Sequence, residues 1–84
     1  MARGQQTLDA NHRIALGREI RAKRGQRAVS TLAPAAGIAD VTWRKYESGE
    51  SSPSLACLLA VAHAVGCKAS QLLRVLEEKR TAGD

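Results

Sequence analysis

The sequence has no phenylalanine, one tryptophan and one tyrosine. A β-sandwich or barrel builds its core from Val, Ile, Thr and aromatic side chains, and that material is scarce here. Five Val and three Ile stand against fifteen Ala and nine Leu, a mixture that favours helix. Cysteine is also scarce, with Cys57 and Cys67 alone. A disulfide scaffold needs more, so the two thiols point to a reducing compartment, the cytoplasm. No apolar run reaches the roughly 18 to 20 residues of a membrane-crossing helix. The polar stretch Met1 to Leu8 lacks the apolar centre of a secretion signal. His12 and His63 lie far from each other and from Cys57, and no Cys-x2-Cys or His-x3-His spacing occurs, so neither a metal nor another cofactor is expected. No Ser or Cys stands in a motif with an activating base, so no enzyme is expected either. At 84 residues the chain is one small domain with a marginal core, which dimerisation would enlarge.

Positive charge is what the chain has in excess, and it is unevenly placed. The formal net charge is +5. Residues 1–29 carry Arg3, Arg13, Arg18, Arg21, Lys23, Arg24 and Arg27 against Asp9 and Glu19, and the rest of the chain balances. A clustered basic segment suits a polyanion, nucleic acid first of all. A solvated helix face that only aids solubility has the same composition.

The spacing predicts five helices. The first begins at Asp9 or Asn11 as cap, runs to Arg24 and stops at Gly25, with Leu16 and Ile20 on a narrow apolar face. The second is very short, capped by Ser30 or Thr31, with Pro34 tolerated in its first turn and Gly37 as its end. The third spans about Asp40 to Ser48 and stops at Gly49. At about 100° per residue, Trp43, Tyr46 and Glu47 share its inner side, while Val41, Arg44, Lys45 and Ser48 share the outer one. Ser52 as cap and Pro53 at the first helical position start the fourth helix, whose face is Leu55, Leu58, Leu59, Ala62 and Val65. The fifth starts near Lys68 to Ser70 and buries Ala69, Leu72, Leu73 and Leu76. Cys57 falls opposite the fourth helix's face, and Ile14 and Val75 fall off their helices' stripes. The expected layout is a basic N-terminal arm at residues 1–8, a DNA-binding domain at 9–79 and a frayed tail at 80–84.

A short helix, a glycine turn and a helix with one apolar and one polar-basic face form a helix-turn-helix pattern. The run Leu32-Ala33-x-x-x-Gly37-Ile38-x-x-x-Thr42-Trp43-x-x-Tyr46-Glu47-x-Gly49 resembles the phage repressor and Cro type, the XRE family. Ser52-Pro53-Ser54-Leu55, Leu58-Leu59, Ala62, Val65-Gly66 and Leu72-Leu73 are similar to that family's fourth and fifth helices, and Leu16 to Arg21 to its first. The likeness covers about residues 14 to 76. It implies an all-α, five-helix, lambda-repressor-like domain in the cytoplasm of a bacterium, encoded there or by a plasmid or phage. It implies a homodimer on operator DNA, a transcriptional repressor, with no small-molecule ligand. The same fold also serves as an interaction module in antitoxins, which is the alternative. A basic helix on a membrane surface is not expected, because the first helix has too few large apolar residues to bury.

Carried over position by position, the resemblance makes Asp40, Val41, Thr42, Lys45 and Arg44 the base readers. Arg or Lys donates to guanine O6 and N7, Val41 meets a thymine methyl, and Asp40 either caps its helix or accepts from a cytosine amine. Trp43 and Tyr46 are core. Glu47 sits on the inner stripe and needs a partner, Arg21 or Arg24. Phosphate contacts are expected from Ser48, from Ser52 and Ser54 at a helix start, and from Arg3 in the arm. The stretch from Arg24 to Leu32 is about two residues shorter than the family's, and the family's phosphate-binding Gln is missing. Ser30 or Thr31 is expected in its place. Val75, Leu76 and Lys79 are the expected dimer contact.

Overall fold

A computed structural model describes residues 8–83, with side chains described for residues 8–77. Five helices follow one another: α1 (Ala10–Arg24), α2 (Val29–Ala35), α3 (Asp40–Ser48), α4 (Leu55–Val65) and α5 (Ala69–Gly83). No strand occurs among the described residues. The all-α class expected from the composition is therefore the class observed. α1 lies at the centre of the packing, against α3, α5 and α4, and α2 bridges α3 and α4.

Local chemistry sets most of the boundaries. The Asp9 carboxylate accepts from the His12 N–H at 2.8 Å and starts α1. The N–H groups of Ile38, Glu50 and Cys67 each return to a carbonyl five residues back, on Ala33, Lys45 and Ala62. These bonds close α2, α3 and α4 in Schellman fashion.

Two helix starts and the cap of a third differ from the sequence reading. α2 begins at Val29, not near Thr31, and its cap is Ala28, which offers no side-chain bond. Burial of Val29 in the core draws the helix start back, and the Ala28 carbonyl takes the Thr31 and Leu32 N–H groups at 3.1 and 3.2 Å. Ser30 and Thr31 are thus first-turn residues, and Pro34 is the sixth residue of the helix. It has no N–H for the carbonyl four residues back, and the helix ends one residue later. α4 is capped by Ser54, whose hydroxyl accepts from the Cys57 N–H at 3.2 Å. Ser52 and Pro53 lie in the link before it. α3 is capped by extended Ala39, whose carbonyl takes the Trp43 N–H at 3.0 Å. At its far end α5 continues to Gly83, through residues read from sequence as tail.

The core joins Leu16 and Ile20 of α1, Val29, Leu32 and Ala33 of α2, Trp43 and Tyr46 of α3, Leu58, Val61, Ala62 and Val65 of α4, and Leu72 of α5. The α4 face is turned from the one expected. Val61 is fully buried, whereas Leu55 and Leu59 are 67% and 52% exposed. Apart from exposed His63, α4 is apolar throughout, so little polar contrast fixes its orientation from sequence, and packing against α1 and α2 decides. Leu73 is likewise exposed, and Cys57 is half-buried against the core.

Two close approaches set the angle of α3 on α1. A Cβ on Gly17 would lie within the shells of the Tyr46 and Glu47 carbonyl oxygens and 2.8 Å from the Glu47 carbonyl carbon. Only glycine lets the two backbones meet there. Gly49, at φ +85°, sits so near Ile14 that a Cβ would come within 2.8 Å of its Cγ1. The same corner is gripped by Arg13, whose Nε donates to the Gly49 carbonyl at 2.9 Å and Nη1 to the Leu8 carbonyl at 2.7 Å.

Candidate nucleic-acid interface

α3 is a two-sided helix held by its inner side. Trp43 has no exposed surface and Tyr46 very little. The Trp43 Nε1–H donates to Glu47 Oε2 at 2.7 Å. Arg24 meets the same carboxylate with a fork, Nε to Oε2 at 2.7 Å and Nη2 to Oε1 at 3.0 Å, while its Nη1 donates to the Arg27 carbonyl at 2.8 Å. Of the two arginines expected to pair with Glu47, the structure joins Arg24, and Arg21 contributes only its charge. The Tyr46 hydroxyl pairs with the Cys57 thiol. Burial, aided by that bond, pushes the Tyr46 phenol up to about 12. Ser54 and Tyr46 together draw the Cys57 thiol below its usual value.

Burial pushes the Glu47 carboxyl up, but the bonds from Arg24 and Trp43 and the charges of Arg24 and Arg21 outweigh it. The group is held below its ordinary 4.5. A carboxyl depressed in the fold stabilises the fold above its unfolded pKa, and that contribution is lost as pH falls through the folded pKa. Glu47→Gln is therefore expected to narrow the stability difference between about pH 7 and about pH 3. Urea unfolding of both proteins at the two pH values checks this. An unchanged pH dependence would remove the ion pair from the account.

The outer side of α3 carries Val41, 60% exposed, with exposed Arg44, Lys45 and Ser48. Among the described residues the Arg44 and Lys45 side chains make no hydrogen bond or ion pair. The Ser48 hydroxyl lies 3.1 Å from both the Lys45 carbonyl and Glu50 Oε2, and donates to one at a time. Thr42 and Asp40 are half-buried at the flanks. Asp40 is not the cap of α3, because Ala39 holds that position; it is the first helical residue, where the helix dipole favours an acid. Val41, Arg44, Lys45 and Ser48 are thus brought onto one face.

Other expected contacts fall elsewhere. Ser30 and Thr31 are exposed at the start of α2. Ser52 and Ser54 line an apolar groove of about 450 Å³ with Leu8, Leu16, Pro53, Leu55, Leu58, Leu73 and Leu76. α3 contributes nothing to that groove, and the Ser54 hydroxyl is occupied in capping. Val75 and Leu76 are half-buried on α5. Arg3 and the Lys79 side chain lie outside the described residues.

The basic first third is less free than its charge suggests. Arg13 holds two carbonyls. Arg27 donates to the carbonyls of Arg24, Lys23 and Val65, tying the ends of α1 and α4. Lys23 pairs with Glu19 at 3.5 Å. Sequence reasoning missed these roles, because a bond to a distant carbonyl leaves no residue pattern. Among the described residues Arg18 and Arg21 on α1 make no such bond.

No protein-family model and no curated protein matches the chain.

Proposed function

We propose that the chain is a sequence-specific double-stranded DNA-binding regulator, a repressor that binds a palindromic operator as a homodimer. α2, its glycine turn and α3 act as a helix-turn-helix, with α3 in the major groove. One observation carries the reading: α3 presents Val41, Arg44, Lys45 and Ser48 outward while Trp43 and the Arg24–Glu47 pair hold its other side to the core. A groove-reading helix needs such a rigid back and a donor-rich front. Two such helices would read half-sites centred roughly 34–36 Å apart, and occupied promoter DNA excludes polymerase.

The test is selection of bound fragments from sheared genomic DNA at about 0.15 M salt, where surface charges are screened as in a cell. An enriched inverted repeat with half-sites one turn apart is the expected result. Lys45→Ala should then weaken the selected site by about 1–3 kcal/mol beyond any loss on random DNA, as measured by anisotropy. Equal losses on both would remove Lys45 from base reading. Binding without an enriched sequence would favour the interaction-module reading, to which the exposed Leu55, Leu59 and Leu73 lend support.

A further inference from the structure

A cleft of about 280 Å³ opens between α1 and α3, lined by Arg21, Arg24, Arg44, Glu47 and Ser48. Three arginines and one glutamate line it. The Arg24 fork and the Trp43 N–H already occupy that carboxylate; Glu47 acts on Arg21 only through its charge, and the three arginines leave an excess of two positive charges at the cleft. Arg21 and Arg44 come from different helices, are exposed, and find no acceptor among the described residues. Two like charges converging on one opening repel unless an anion lies between them. A planar fork with five donors suits a phosphate oxygen pair better than it suits water.

We infer that Arg21 and Arg44 form a clamp for one phosphodiester of the DNA backbone, seated at the mouth of this cleft with the Arg24–Glu47 pair as its floor. The assignment rests on the DNA-binding reading and refines it. Arg44 leaves the base readers, because the cleft lies at the flank of α3, toward α1. Backbone phosphates border a groove-filling helix, while base edges face its outer line. Arg21, assigned from sequence only as a candidate partner of Glu47, gains a contact of its own. The clamp fixes register on the duplex and carries no sequence preference.

Arg21→Gln tests this. The variant should lose little thermal stability, since its side chain makes no internal bond and acts on Glu47 only through its charge, and should bind the selected site and random duplex alike about tenfold more weakly. The log–log salt slope should fall by about one per protomer. Arg44→Gln should do the same. Wild-type affinity and slope in Arg21→Gln would overturn the clamp while leaving the regulator reading intact. Loss confined to the selected site would overturn it too, since that is the mark of a base contact. A wild-type protein that binds no duplex would end both. A parallel titration with inorganic phosphate follows the arginine Nε–H signals. Saturable shifts of Arg21 and Arg44, with DNA binding unaltered by Arg21→Gln, would mean a free-phosphate site instead of a DNA contact.

Discussion

Gly17→Ala is expected to cost more than about 3 kcal/mol, most of the stability of a domain this small. The added methyl has no space, because the atoms it meets are backbone carbonyls of Tyr46 and Glu47 and cannot rotate away. α3 must lift from α1, and Trp43, the Arg24–Glu47 fork and the Arg13 bond to Gly49 loosen together. At about 4–8 °C per kcal/mol, the melting temperature should drop by well over 10 °C, or the protein should not fold. Gly66→Ala is the control. Gly17 lies within α1 and has no positive φ, so backbone conformation does not penalise Ala there; Gly66 has positive φ, at 85°, but a Cβ there meets nothing within 4 Å. Its cost should stay near the roughly 1–2 kcal/mol of a left-handed residue. Circular dichroism melts of the two variants decide the matter. Equal losses would mean that the close approach of α1 to α3 at Gly17 costs no more than one left-handed residue.

The second large effect concerns salt. If a homodimer makes six to ten phosphate contacts, its affinity for the selected DNA should fall about 10³ to 10⁵-fold between 50 and 200 mM salt. The structure bounds the slope. Arg18, Arg21, Arg44 and Lys45 are the cations on α1 and α3 that make no internal bond among the described residues; with Lys45 assigned to a base, a dimer offers about six for phosphates. Arg13, Arg24 and Arg27 are committed to carbonyls and to Glu47. A slope near −5, at about −0.9 per phosphate, is therefore expected in anisotropy titrations over a salt series. A slope near zero would remove backbone charge from the binding account. A much steeper one would mean that the internally bonded arginines also face the duplex.

The sequence was most legible where one side chain or one glycine decides a boundary. Asp9 starts α1, Gly25 and Gly49 stop α1 and α3, and the inner placement of Trp43, Tyr46 and Glu47 follows from spacing alone. It was least legible where packing outweighs local chemistry. Ala28 has no side chain to mark a cap, so the start of α2 is set by the burial of Val29. Ser52-Pro53 has the composition of a helix start, yet Ser54 makes the bond. α4, apolar but for His63, shows little contrast between sides, which hid Val61 and overstated Leu55 and Leu59. In the candidate site, the outer residues of α3 could be read off a wheel. The cleft could not, because it joins residues from two helices more than twenty positions apart in sequence.

The central place of α1 also orders the events of synthesis. Its apolar stripe is made first, but every surface that covers it is made later, on α3, α4 and finally α5. Leu72, fully enclosed, is among the last core side chains to leave the ribosome. Until it arrives, Leu16 and Ile20 have an incomplete shelter, and no shorter nascent chain can close the core. The nascent protein should therefore stay sensitive to protease until α5 is out, and then become protected in a single step.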